Sequence, residues 1–235
     1  MLDFVRYEEM NGRRCDIEAD DDVLRAIGEY MPSYDSGLRI SPPDLITECT
    51  ACPRYRGCRT DLVCHTSPLE NACMILDSGR LLSPVLARGI GANELQAEPR
   101  NAAKDPADYF DYIMFAWGNC QAGDRLVMER KLGRFPNEQD LSDGFEPGVR
   151  FFFRYPDLIR HPEAVFDGVL PLKVKNEIVL KDWVHAIIAS ENARPVLECH
   201  VPADLRDRTF YVENNCRDIW EWSSKVYEFA RSIKE

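Results

Sequence analysis

The sequence predicts an α+β fold, on three features of its patterning. Residues 112–117, 149–154 and 184–189 are short apolar runs rich in aromatic and β-branched side chains, as strands are. Residues 69–77 and 217–234 carry apolar side chains at helical spacing. The strands do not alternate regularly with the helices, which is the α+β pattern.

Taken in order, residues 1–60 read as an N-terminal extension, residues 61–215 as a core and residues 216–235 as a C-terminal amphipathic helix packed on that core. Within the extension, residues 21–31 are predicted as a helix, with acidic residues at its start and Val23, Leu24, Ile27 and Met31 at helical spacing. Residues 62–66 are a short apolar run that reads as a strand ending at His65 and Thr66. Pro68 opens the next helix and Gly79 suits its left-handed stop. Residues 89–106 read as a long loop, residues 177–180 and 184–189 as two strands or one broken near Asp182, and residues 210–213 as a short strand. The last helix repeats Ile219, Trp222, Val226, Phe229 and Ile233 every three or four residues, giving one apolar stripe.

The chain has 235 residues, of which 45% are hydrophobic and 29% charged, as in an ordinary globular protein. No apolar run approaches the roughly 20 residues that span a bilayer, so no membrane partner is expected. The N-terminus does not read as a secretory signal, and cytoplasm is the default compartment. A net charge of -11 argues against a broad electrostatic footprint for nucleic acid. Arg125, Arg130, Lys131 and Arg134 form a local basic cluster, but Asp124 and Glu129 among them suggest a solvated charged face.

Nine cysteines without an export signal point to reduced thiols or metal ligands rather than a disulfide framework. Cys49 and Cys52 stand two residues apart, a spacing at which a tight turn points two thiolates at one ion. Cys58 is a third candidate and Cys64 a fourth, with Cys15 and Cys73 as substitutes. Zinc in a structural role is the metal expected, and an iron–sulfur cluster uses the same ligands. The alternative is a loop of free thiols, with Cys64 and Cys73 packed as small hydrophobes.

Residues 62–83, LVCHTSPLENACMILDSGRLLS, form a strand–loop–helix element centred on His65. Asn71, Ile75 and Gly79 follow His65 at offsets of six, ten and fourteen. This pattern resembles the first conserved region of ADP-ribosyltransferases, in the branch of DarT-like DNA-modifying enzymes and RNA 2′-phosphotransferases. Thr66 follows His65 directly, whereas the DarT pattern usually has one residue between them. Residues 111–117 are similar to that family's aromatic strand, and residues 175–180 to its catalytic-glutamate segment. These three regions span about half the chain.

The resemblance implies a split central β-sheet with flanking helices, preceded here by the cysteine-containing segment. It implies NAD as the substrate, Glu177 as the catalytic carboxylate and Arg100 as a catalytic arginine. His65, Thr66 and Asn71 would hold NAD, with Tyr112, Phe115 or Trp117 stacking on the nicotinamide. Breaking the nicotinamide–ribose bond leaves an oxocarbenium-like centre, which a carboxylate accepting from the ribose 2′-hydroxyl stabilises. The same carboxylate can help deprotonate a nucleophile.

The function expected is therefore NAD-dependent ADP-ribosyl transfer to a nucleic acid or protein acceptor, as in a toxin or defence effector. Two other functions fit the residues. One is a non-enzymatic, metal-stabilised interaction module in which the His65 region is scaffold and the C-terminal helix docks a partner. The other is an enzyme related to the 2′-phosphotransferases, with Arg80, Arg88 and Arg100 holding phosphates.

Overall fold

The computed structural model describes residues 61–96, 107–142, 145–165 and 171–234. The helix expected at residues 21–31, Arg100, Cys15 and the cysteines Cys49, Cys52 and Cys58 lie outside the described residues.

The fold is α+β, with a mostly antiparallel central sheet and flanking helices. The strands are β1 (Leu62–Ser67), β2 (Arg80–Leu82), β3 (Tyr112–Trp117), β4 (Val149–Arg154), β5 (Ala164–Val165), β6 (Leu172–Lys175), β7 (Glu177–Val179), β8 (Val184–Ser190) and β9 (Thr209–Val212). Seven of them form one sheet in the order β5-β6-β3-β1-β4-β8-β9. Only the β8–β9 pair in it is parallel. β2 and β7 form a separate antiparallel ribbon. The helices are α1 (Leu69–Ser78), α2 (Pro84–Arg88), α3 (Ala92–Gln96), α4 (Ala122–Leu132), α5 (Tyr155–Leu158), α6 (Leu180–Trp183), α7 (Arg194–Leu197) and α8 (Ile219–Ser232). None is long and apolar enough to cross a membrane.

Alternation along the strands fixes the two faces of the sheet. Val63, Phe115, Phe151, Phe153 and Ile187 point to one face, where they pack with Leu76 of α1 and with Leu81 and Ile178 of the ribbon. Cys64, Phe152, Ala186, Ile188 and Val212 point to the other, against Trp222, Val226 and Tyr227 of α8 and Met128 of α4. Asp218 caps α8 by accepting from the Glu221 backbone N–H at 2.8 Å. The buried side of α8 includes Ile219, Trp222 and Val226, as the apolar stripe requires, whereas Phe229 is 37% exposed.

Several elements differ from expectation. The loop foreseen at residues 89–106 holds α3 in its described part, and α2 stops immediately before it, closed by Gly89 at φ 64°. β6 and α4 are additional elements. The break near Asp182 is a single helical turn, α6, that separates β7 in the ribbon from β8 in the main sheet. Arg130, Lys131 and Arg134 are exposed, as a solvated face requires, but Asp124 beside them is not part of it. Asp124 is fully buried and paired with fully buried Arg150 of β4. Arg150 Nε donates to Asp124 Oδ2 at 2.9 Å, and the Gly148 N–H donates to Oδ1 at 2.9 Å. Arg150 also donates to the Gly118 carbonyl at 3.0 Å and to the Ser223 hydroxyl of α8. One guanidinium thereby links β4, α4 and α8.

Candidate active site

The ladder between β1 and β3 is short. It pairs Val63 with Trp117 and Cys64 with Ala116, and then stops. From His65 onward β1 pairs only with β4, through Ser67, while β3 pairs with β6 from Phe115 back to Tyr112. The two halves of the sheet therefore part at His65. The fork opens toward the end of the sheet where β6 leads through Asn176 into Glu177.

His65 stands where the strands separate. Its Nδ1 lies 3.1 Å from the Met114 carbonyl oxygen, so the side chain spans the fork in place of a ladder hydrogen bond. A carbonyl only accepts, so Nδ1 carries the proton. Burial pushes the imidazole below its ordinary value of 6.5, and the Arg130 charge acts in the same direction, against the Met114 hydrogen bond. A neutral ring protonated at Nδ1 leaves Nε2 as an acceptor, suited to a hydroxyl or amide N–H. Phe115 meets the ring edge-on, with centroids 6.2 Å apart and planes at 66°, and is itself held edge-on by Phe153.

Glu177 is placed by a backbone kink. Asn176 adopts φ 64°, a left-handed conformation that asparagine enters more readily than most residues. Its N–H donates to the Asp111 carbonyl at 2.9 Å and its carbonyl accepts from Ser83 at 2.7 Å. The kink turns the chain out of the main sheet and into the ribbon, where Ile178 faces the core and Glu177 the other way. The inner side of this ribbon packs on the face of the sheet that bears His65, so the two elements share one side of it. The Glu177 side chain is 41% exposed. Arg80 Nη1 donates to both of its oxygens, at 2.6 and 2.7 Å.

The other residues implicated by sequence are distributed as follows. Thr66 neighbours His65 in sequence but points to the opposite face, against Gly123 of α4 and Gly148. A Cβ on Gly148 would stand 2.7 Å from Thr66 Cγ2. Asn71 is on the exposed side of α1. Tyr112 and Trp117 lie on opposite faces of β3. Tyr112 is buried with the Lys173 ammonium 4.4 Å from its ring centre, and Trp117 packs edge-on against Tyr155 at 5.0 Å. Phe115, between them, is the aromatic side chain of this strand that meets His65.

Cys64 is buried on the opposite face from His65. Its thiol points at the Trp117 and Gly118 carbonyls, at 3.7 and 3.9 Å, and burial pushes its pKa up to about 12. In this setting the protonated thiol is favoured, as for a packed core cysteine. Among the described residues no cluster of three or more histidine, cysteine or carboxylate side chains could hold a metal ion.

Two features of the site lie beyond the sequence reasoning. The Arg80–Glu177 contact joins residues 97 apart, and no local pattern signals it. The kink at Asn176 has a faint signal, an asparagine between a strand and the carboxylate. No family model, curated protein or solved structure matches the chain.

Proposed function

We propose that the protein is an NAD-dependent ADP-ribosyltransferase whose site lies at the mouth of the β1–β3 fork, with His65 as a binding residue and Glu177 as the catalytic carboxylate. The observation that carries this reading is the placement of His65. A neutral imidazole with an acceptor nitrogen stands where a sheet divides, on the side of the sheet that carries the Glu177 ribbon.

In this reading His65 Nε2 accepts from the carboxamide or a ribose hydroxyl of NAD and orients it. The bond from ribose C1′ to the nicotinamide nitrogen breaks, and its electron pair leaves with nicotinamide. Glu177 accepts a hydrogen bond from the ribose 2′-hydroxyl and so stabilises the positive charge growing on the ribose. A nucleophile on the acceptor bonds to C1′, and its proton passes to Glu177 or to water. The carboxylate has lone pairs left for this beside those held by Arg80, because its two oxygens offer about four acceptor positions. The acceptor is a nucleic acid or a protein. Thr66, facing away from His65, supports the strand rather than the ligand.

The test is release of nicotinamide from NAD by wild type and by Glu177→Ala. General acid–base assistance is worth roughly 100-fold to 10,000-fold in rate, and a loss in that range is expected. Equal activity in the two proteins removes Glu177 from the mechanism. NAD should also raise the melting temperature, since a ligand at about 100 times its Kd contributes on the order of 2.7 kcal/mol. No shift at millimolar NAD would favour the metal-stabilised interaction module, to which the cysteine segment and C-terminal helix would belong.

A further inference from the structure

We infer that Arg80 is the positioning residue for Glu177, holding its carboxylate in the place that the reaction needs. This inference rests on the ADP-ribosyl transfer reading of the same site.

The geometry is specific. A single nitrogen, Arg80 Nη1, donates to both Glu177 oxygens, at 2.6 and 2.7 Å, so the carboxylate is held in place against swings of its side chain. Both partners follow a left-handed residue directly, Arg80 after Gly79 at φ 66° and Glu177 after Asn176 at φ 64°. The backbone closes the ribbon at each end. The Ser83 N–H donates to Asn176 at 2.7 Å, and the Leu180 N–H donates to Gly79 at 2.9 Å. The guanidinium and carboxylate are thus set on facing strands by backbone geometry, and Arg80 connects the segment that begins at His65 with the segment that carries Glu177.

Stability does not account for the pair. Its side chains are 48% and 41% exposed, and exposed ion pairs contribute little to folding. The ribbon is anchored instead by Leu81 and Ile178, both almost fully buried, and by its own ladder. Replacing Arg80 therefore leaves the fold in place and frees the Glu177 side chain to swing away.

The experiment measures kcat and KM for NAD cleavage in wild type, Arg80→Gln, Arg80→Lys and Glu177→Gln, with a thermal melt of each. Arg80→Gln is expected to lower kcat on the order of 10- to 100-fold while KM for NAD stays nearly constant, because misorientation of a reacting group costs rate in the transition state. Arg80→Lys keeps the charge and is expected to recover part of the lost kcat, with melting unchanged throughout. Wild-type kcat in Arg80→Gln, with Glu177→Gln inactive, overturns this inference and leaves the transferase reading standing. A raised KM at unchanged kcat overturns it also, since Arg80 would then only bind substrate. Full activity in Glu177→Gln overturns the underlying reading and this inference with it.

Discussion

Replacement of Asp124 by alanine should be among the most destabilising single changes in the core. Asp124 and Arg150 are both fully buried. The carboxylate accepts from the Gly148 N–H at 2.9 Å, from Arg150 Nε at 2.9 Å and from Arg150 Nη2. Its removal leaves a guanidinium in the core whose remaining partners among the described residues are the Gly118 carbonyl and the Ser223 hydroxyl, neither of which carries charge. Removing one partner from a buried ion pair costs about 3–5 kcal/mol, most of it the uncompensated charge that remains. For a chain of this size each kcal/mol lowers Tm by about 2–4 °C, so a fall of about 6–20 °C is expected. Urea unfolding followed by circular dichroism gives the free energy, and calorimetry gives Tm. The double variant Asp124→Leu with Arg150→Met removes both charges and should lie much closer to wild type, because apolar replacement of a whole buried pair is often neutral. A loss below about 1 kcal/mol in Asp124→Ala, the range of an exposed pair, would refute the reasoning.

Two further predictions concern the strand that carries His65. Gly123→Ala should destabilise the protein by about 1–3 kcal/mol, the usual cost of overpacking, because the new methyl group would overlap the Thr66 side chain. The higher helix propensity of alanine alone would give the opposite sign, so a more stable Gly123→Ala in a thermal melt refutes the contact. The second concerns pH. Burial lowers the His65 pKa in the folded state, so the unfolded chain binds the proton more readily, and this contribution to stability is present above pH 6.5 and lost as pH falls toward the folded value. Urea stability measured from pH 7 to pH 5 should therefore fall less steeply in His65→Phe than in wild type. Identical slopes would show that His65 is not buried as a neutral ring.

Local signals carried much of the fold. Pro68 and Gly79 mark the ends of α1 because each acts through its own backbone, one by a fixed φ and the other by a left-handed turn. The runs 112–117 and 149–154 coincide with strands because both are buried in the centre of the sheet. β6 is hidden by its lysines. Lys173 is fully buried between Tyr109 and Tyr112, at 4.7 and 4.4 Å from their ring centres, so a charged residue occupies a place where an apolar one would signal a strand. α4 is hidden for the complementary reason, since Asp124 on its buried side is matched by an arginine 26 residues away. At the candidate site, the opposite facing of His65 and Thr66 follows from strand alternation. The fork does not, because it depends on where one ladder stops. The contact between Arg80 and Glu177 is wholly tertiary.

Asp61, where the first strand begins, also bonds to the last helix. Its carboxylate accepts from the Tyr227 hydroxyl and pairs with Arg231 at 3.0 Å, while its carbonyl accepts from the Tyr155 N–H at 3.0 Å. The stretch from 61 to 234 consequently starts and finishes at one place on its surface. A chain with that geometry can be rejoined by a short linker and opened elsewhere, or inserted into a surface loop of a host protein with both junctions side by side.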